Sequence, residues 1–217
     1  MNPCDDSGLC EEIDRLVSRG IRSARSVSVG SGWTTLVDVA PLARGHLLYV
    51  TETHVPSLAA LPFHERVAQL HCLDAVATWL GEHLQEDVLR VEHGAADVGT
   101  RFDCVRHAHV HLIPYGICHG SKAVDVSRFA VFASDVRRFD DVLAAYRECH
   151  NMDSYLIVST GSDTLVGRPR EQRQVARGLI ADILELESHR IDWALNAHSR
   201  LYDETVRELA CEVQTVG

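Results

Sequence analysis

Three histidines at alternate positions, His107, His109 and His111, are the residues of this chain best fitted to do chemistry. In an extended strand alternate side chains share a face, so the three imidazoles line one surface while Ala108, Val110 and Leu112 line the other. Imidazole titrates near neutrality and serves as a nucleophile, a general acid or base, or a metal ligand. A row of three reads as a working site. Two other readings stay open at this point: a polar strand face, and a divalent metal held by three neutral imidazoles.

Such a row needs a sheet around it. Ser26–Val29 and Trp33–Val37 read as strands joined through a Gly30-Ser31-Gly32 turn, and Leu47–Val50 as a buried strand with His46 at its start. Further strands are expected near Val88–Val91, at the triplet itself, and at Ser154–Ser159. Leu9, Ile13, Leu16 and Val17 share one helical face. A longer helix opening at Pro62 carries Phe63, Val67, Leu70, Leu73, Ala77, Leu80 and Leu84 as its core stripe, with His64, His71 and His83 solvent-facing or satisfied and not catalytic. Residues 170 to 186 and 190 to 212 follow helical periodicity. The fold class expected is α+β, an antiparallel sheet with helices packed on it. Residues 1–120 form the core, and 121–217 form an α/β extension packed on it.

Composition narrows the function. With 46% hydrophobic residues and 6 prolines the chain can bury a core. A formal net charge of −10 and a single lysine, Lys122, argue against a general binder of nucleic-acid backbone. The first residues are acidic with no apolar leader, and seven unpatterned cysteines suit a reducing compartment, so a cytoplasmic protein with no membrane partner is expected.

The stretch His107-Ala108-His109-Val110-His111-Leu112-Ile113-Pro114 resembles the signature of the histidine triad (HIT) superfamily. Upstream, Asp38-Val39-Ala40-Pro41-Leu42-Ala43-Arg44-Gly45-His46 followed by an apolar strand is similar to that family's second fingerprint. The resemblance covers roughly residues 27 to 117 well. It implies a nucleotide hydrolase or nucleotidyltransferase acting at a nucleoside α-phosphate. His109 would attack phosphorus to give a nucleotidyl-histidine, His107 and His111 would position that ring and contact phosphate, and His46 would be the fourth family histidine. Asp38 sits where the family holds the ribose hydroxyls, with Leu36 and Val39 as base contacts.

Cys104 stands where members carry a Ser or Thr donating to phosphate, and Asp103 where many carry Gln. Glu92, in Glu92-His93-Gly94, lies where many have an Asn/Glu-x-Gly segment, as a substrate contact or a strand cap. Gln174-Val175-Ala176-Arg177 is similar to a Gln-x-x-Arg element of longer bacterial members, Arg177 being either a phosphate contact or a surface residue. The chemistry requires no cofactor, yet some members bind zinc through an N-terminal Cys-x-x-Cys with histidines. Here Cys4 and Cys10 stand in that region with wider spacing. Many HIT proteins pair as homodimers. A nucleotide-binding or adaptor protein with the same fold and little turnover is the alternative.

Overall fold

The computed structural model describes residues 8–95, 107–116, 124–161, 163–171 and 174–210; Cys4, Asp103, Cys104 and Lys122 lie outside them. The elements run α1 (Gly8–Arg19), β1 (Ser26–Gly30), β2 (Trp33–Val37), β3 (Leu47–Thr51), α2 (Phe63–Leu84), β4 (Val88–Ala95) and β5 (His109–Pro114). They continue with α3 (Val126–Phe132), β6 (Ala133–Phe139), α4 (Val142–Cys149), β7 (Ser154–Thr160), β8 (Asp163–Pro169), α5 (Val175–Ile183), α6 (Trp193–Asn196) and α7 (Arg200–Thr205). No helix among the described residues is long and apolar enough to cross a membrane.

Among the described residues, eight strands form one antiparallel sheet in the order β1-β2-β3-β5-β4-β7-β8-β6. The triad strand β5 sits inside it, between β3 and β4, with Leu48 opposite His111 and Val50 opposite His109. Strand alternation then fixes two faces. Val110 and Leu112 join Leu47, Tyr49, Leu73, Leu80 and Ile157 in a core under α2 and α4. On the other face Ile113, Leu89, Val91 and Val158 pack with Phe129 of α3 and with Leu179 and Ile180 of α5. A third cluster joins Leu36, Leu48 and Val50 to Leu9 and Ile13 of α1. His109 and His111 emerge between these last two clusters. The buried Arg25 pairs with Glu12 and donates to the Val37 carbonyl, which ties α1 to the end of β2.

The structure corrects several expectations. Phe63 is 52% exposed at the mouth of α2, near the guanidinium groups of Arg66 and Arg147, and so lies outside the core. Strands β6 and β8 form where the sequence reading assigned no element, and join the same sheet as β7. The helix read over 170–186 is confined to Val175–Ile183, because β8 runs to Pro169. The helix read over 190–212 is broken into short turns at His198, whose backbone is left-handed (φ 54°) and whose N–H is spent on the Val39 carbonyl at 2.8 Å.

Candidate functional site

The hydrogen-bond partners of each imidazole fix where its proton sits. His109 is half-buried, and its Nδ1 lies 3.1 Å from the His107 carbonyl oxygen. A carbonyl only accepts, so Nδ1 carries the hydrogen and Nε2 carries the lone pair. Burial lowers the His109 pKa from its ordinary value, against the raising effect of that hydrogen bond and of Asp38, so the ring is neutral at pH 7.

A second chain of bonds starts at the backbone. The Leu42 N–H donates to His46 Nδ1 at 3.1 Å, which leaves the His46 hydrogen on Nε2. That nitrogen lies 2.9 Å from His111 Nδ1, so His46 donates and His111 accepts. The hydrogen of neutral His111 is then on its Nε2. One loop amide thereby sets two tautomers, and the site presents a lone pair on His109 beside an N–H on His111, with ring centroids 5.5 Å apart. Burial, against the raising effect of Asp38 and with a smaller lowering from Arg177, holds His46 at about 4; burial together with His46 and His109 holds His111 well below its ordinary value, so neither is charged at neutral pH.

His46 is presented by the 38–46 loop, whose exit depends on Gly45. Its backbone is left-handed (φ 79°), and an added Cβ would lie 2.4 Å from Leu84 Cδ1 and 2.9 Å from Pro114 Cγ. Gly45→Ala is expected to destabilise the fold by about 1–3 kcal/mol and to misplace His46. A denaturation midpoint together with the activity of the folded fraction tests this.

Asp38 and Arg177 meet in a buried pair that the sequence reading did not include. The Asp38 side chain is 6% exposed and that of Arg177 7%, and Arg177 Nη1 is 3.3 Å from both Asp38 oxygens. Oδ1 also accepts from the Ala40 N–H at 2.7 Å. Burial works to raise the Asp38 carboxyl, but His46, Arg177, His111 and the Ala40 amide outweigh it and hold the pKa well below the usual carboxylate range. Arg177 is thus not a surface arginine. It is the buried partner of Asp38, and sequence spacing could not have joined residues so far apart in the chain.

The remaining expected residues scatter. Leu36 is buried beneath α1, and Val39 is half-buried with its carbonyl taken by His198. Cys104 falls outside the described residues. The His107 ring is fully buried, donates from Nδ1 to the Thr51 carbonyl at 2.8 Å, and packs on His54 with centroids 4.2 Å apart; its carbonyl is what meets His109. Glu92 lies on the opposite face of the sheet, accepting from the Leu58 N–H at 2.9 Å and the Tyr155 hydroxyl at 2.7 Å. There it lines a cavity of about 340 Å³ with Arg90, Tyr146 and aliphatic side chains of α2 and α4. His93, missed as a site residue, follows Glu92 on β4, and its alternation with Leu89 and Val91 puts it on the triad face, where it acts electrostatically on His109.

Burial raises the Glu92 carboxyl to about 7, against the lowering effect of its hydrogen bonds. Its contribution to stability is full below the unfolded value near 4.5 and is lost as pH rises through about 7. Glu92→Gln mimics the protonated acid and is expected to flatten that decline, removing a penalty of about 3 kcal/mol at alkaline pH. Urea unfolding of both chains across this range provides the measurement.

Among the described residues, two groups have metal-ligating donor atoms within 4.8 Å of one another: Cys10 with His54 and His107, and Asp38 with His46 and His111. The second is a poor cation site, because Arg177 already neutralises Asp38 and both His46 nitrogens are engaged. The first fits a metal better, since His107 Nε2 is buried with no hydrogen-bond partner among the described residues and lies near a thiol and a second imidazole.

The model of the HIT domain family matches residues 31–116. Residues 31–116 are a HIT domain. Among solved structures, the chain is similar to a HIT-like protein involved in cell-cycle regulation from Bartonella henselae, at 20% identity over 47% of this chain and 74% of that one, with a TM-score of 0.39. It is similar to yeast Ap4A phosphorylase in complex with AMP at 12% identity, over 85% of this chain and 80% of that one, TM-score 0.44. It is similar to a zinc-bound histidine triad family protein from Mycobacterium smegmatis at 18% identity, over 86% and 99%, TM-score 0.39. No curated protein matches the chain. The HIT domain spans β2, β3, α2, β4 and β5, so the two histidine clusters, Asp38 and Glu92 fall within it, whereas Cys10 and Arg177 come from outside.

Proposed function

We propose that this HIT domain cleaves a phosphoanhydride, phosphoramidate or phosphoester bond at a nucleoside α-phosphate through a nucleotidyl-His109 intermediate. The observation that carries the proposal is the pair of fixed tautomers, a lone pair on His109 Nε2 beside an N–H on His111 Nε2. In the first step the Nε2–phosphorus bond forms as the bond to the leaving group breaks, and the leaving group departs with the electron pair. The His109 ring becomes cationic and keeps its Nδ1–H on the His107 carbonyl, which stabilises that charge. The His111 N–H donates to a phosphoryl oxygen as charge develops there. Water or another acceptor then attacks phosphorus, loses a proton to solvent, and the P–N bond breaks to return neutral His109. Residues 1–120 carry this chemistry and 121–217 brace it.

Brief incubation with mixed nucleotides followed by intact-mass spectrometry tests the reading: an adduct with the mass of one nucleotidyl group supports it and names the nucleotide. Tight binding of a nucleoside monophosphate with no adduct and no turnover would instead favour a binding or adaptor role.

Cys10, His54 and His107 would hold a zinc ion, with a fourth position for another ligand. Bound there, zinc supplies a cross-link between α1, the β3–α2 loop and the start of β5, and His109 and His111 do the chemistry without it. The purified protein is expected to contain about one zinc per chain, lost in His54→Ala, while adduct formation persists in chelator. Elemental analysis without zinc in the wild-type chain would refute the assignment.

A further inference from the structure

The 38–46 loop, which presents His46, is held from outside the HIT domain at several points. Arg177 Nη1 contacts both oxygens of Asp38, its Nη2 donates to the Ala40 carbonyl at 2.7 Å, and its Nε donates to the Ile191 carbonyl at 2.8 Å. The His198 N–H donates to the Val39 carbonyl at 2.8 Å, the Gly45 N–H to Thr205 Oγ1 at 3.3 Å, and Arg44 pairs with Glu208. Arg177 cannot swing away without giving up two charge-assisted bonds to carbonyls, and Asp38 cannot turn outward without leaving a buried guanidinium unpaired.

Asp38 is the carboxylate beside the histidines, with Oδ2 3.6 Å from His46 Nε2 and 3.9 Å from His111 Nδ1. A free carboxylate there would be suited to grip a vicinal diol, accepting one hydroxyl on each oxygen. Here Oδ1 is shared between the Ala40 amide and Arg177, and Oδ2 faces Arg177 and the two imidazoles. We propose that Arg177 is a specificity-determining residue that withdraws Asp38 from the substrate, so that the site takes nucleotides without reading their sugar hydroxyls. This rests on the nucleotide reading above and deepens it. The substrate class becomes nucleotides and their conjugates, ribo and deoxyribo alike, selected through phosphate and base.

The same placement gives Arg177 an electrostatic role. The groups facing His46 and His111 are Asp38, Arg177 and, for His111, His109 as well. Arg177 opposes protonation of both rings, and with Asp38 it completes a neutral pair beneath them.

Calorimetric titration of the wild-type chain with AMP and with 2′,3′-dideoxy-AMP tests the proposal without requiring turnover. The two dissociation constants are expected within about threefold, whereas a site that hydrogen-bonds the diol would separate them by about a hundredfold or more. A large separation in favour of AMP overturns the inference and leaves the nucleotide reading standing. Failure of both ligands to bind overturns the two together. Arg177→Lys keeps the charge but loses the fork, and is expected to free Asp38 and bring out a preference for AMP. In Arg177→Met, which removes the charge, histidine side-chain NMR should show His46 or His111 titrating at higher pH than in wild type. An unchanged AMP to dideoxy-AMP ratio with unmoved titrations would reduce Arg177 to a structural brace and end the proposal.

Discussion

A chain carrying His109→Asn is expected to lose turnover by about ten-thousand-fold or more and to form no nucleotidyl adduct. The substitution removes the Nε2 lone pair that the proposed mechanism uses. It spares the fold, because the asparagine amide can still donate to the His107 carbonyl from a half-buried position. Single-turnover assays with intact-mass detection make the test, with unfolding curves confirming that stability is kept. His111→Gln retains a donor without the fixed orientation set by His46, and a loss of about 100-fold is expected for it. An adduct that still forms on the His109→Asn chain would remove the mechanism proposed for this domain.

The second large effect concerns stability. Arg177→Met is expected to cost about 3–5 kcal/mol, because it strands the Asp38 charge in a site that is nearly closed to water. For a chain of this length that corresponds to a fall of roughly 10 °C in Tm. Adding Asp38→Asn to Arg177→Met removes the stranded charge, so the double variant should recover much of the loss. The cycle isolates the pair from the bonds Arg177 makes to Ala40 and Ile191. Simple additivity of the two single changes would mean that the buried ion pair contributes little.

The strands and the long helix were legible because their signals are local. His107 to Leu112 alternate with a period of two, and the α2 stripe recurs every three to four residues, so burial of one face forces the structure that the pattern names. Strands β6 and β8 were not legible for a matching reason. Strand β6 is an outer strand with charged residues and a register shift near Asp135, which takes a left-handed backbone (φ 53°), and β8 contains Gly167 and ends at Pro169. Neither carries a clean alternation. The turns after Ile183 followed a helical period, yet the His198 amide was drawn to the Val39 carbonyl of a distant loop.

By itself the sequence determined that three histidines stand in a row, since strand geometry puts alternate side chains on one face, and the Gly45-His46 pair pointed to a turn delivering a fourth. Tertiary structure decided what each of them does. His107 turns its ring to Thr51 and His54 and offers His109 its carbonyl, and Glu92 goes to the far face. Asp38 is taken by an arginine 139 positions away. The physical reason is one of range: alternation and turn chemistry act over a few residues, whereas the protonation and partners of a buried polar group depend on whatever the fold packs against it.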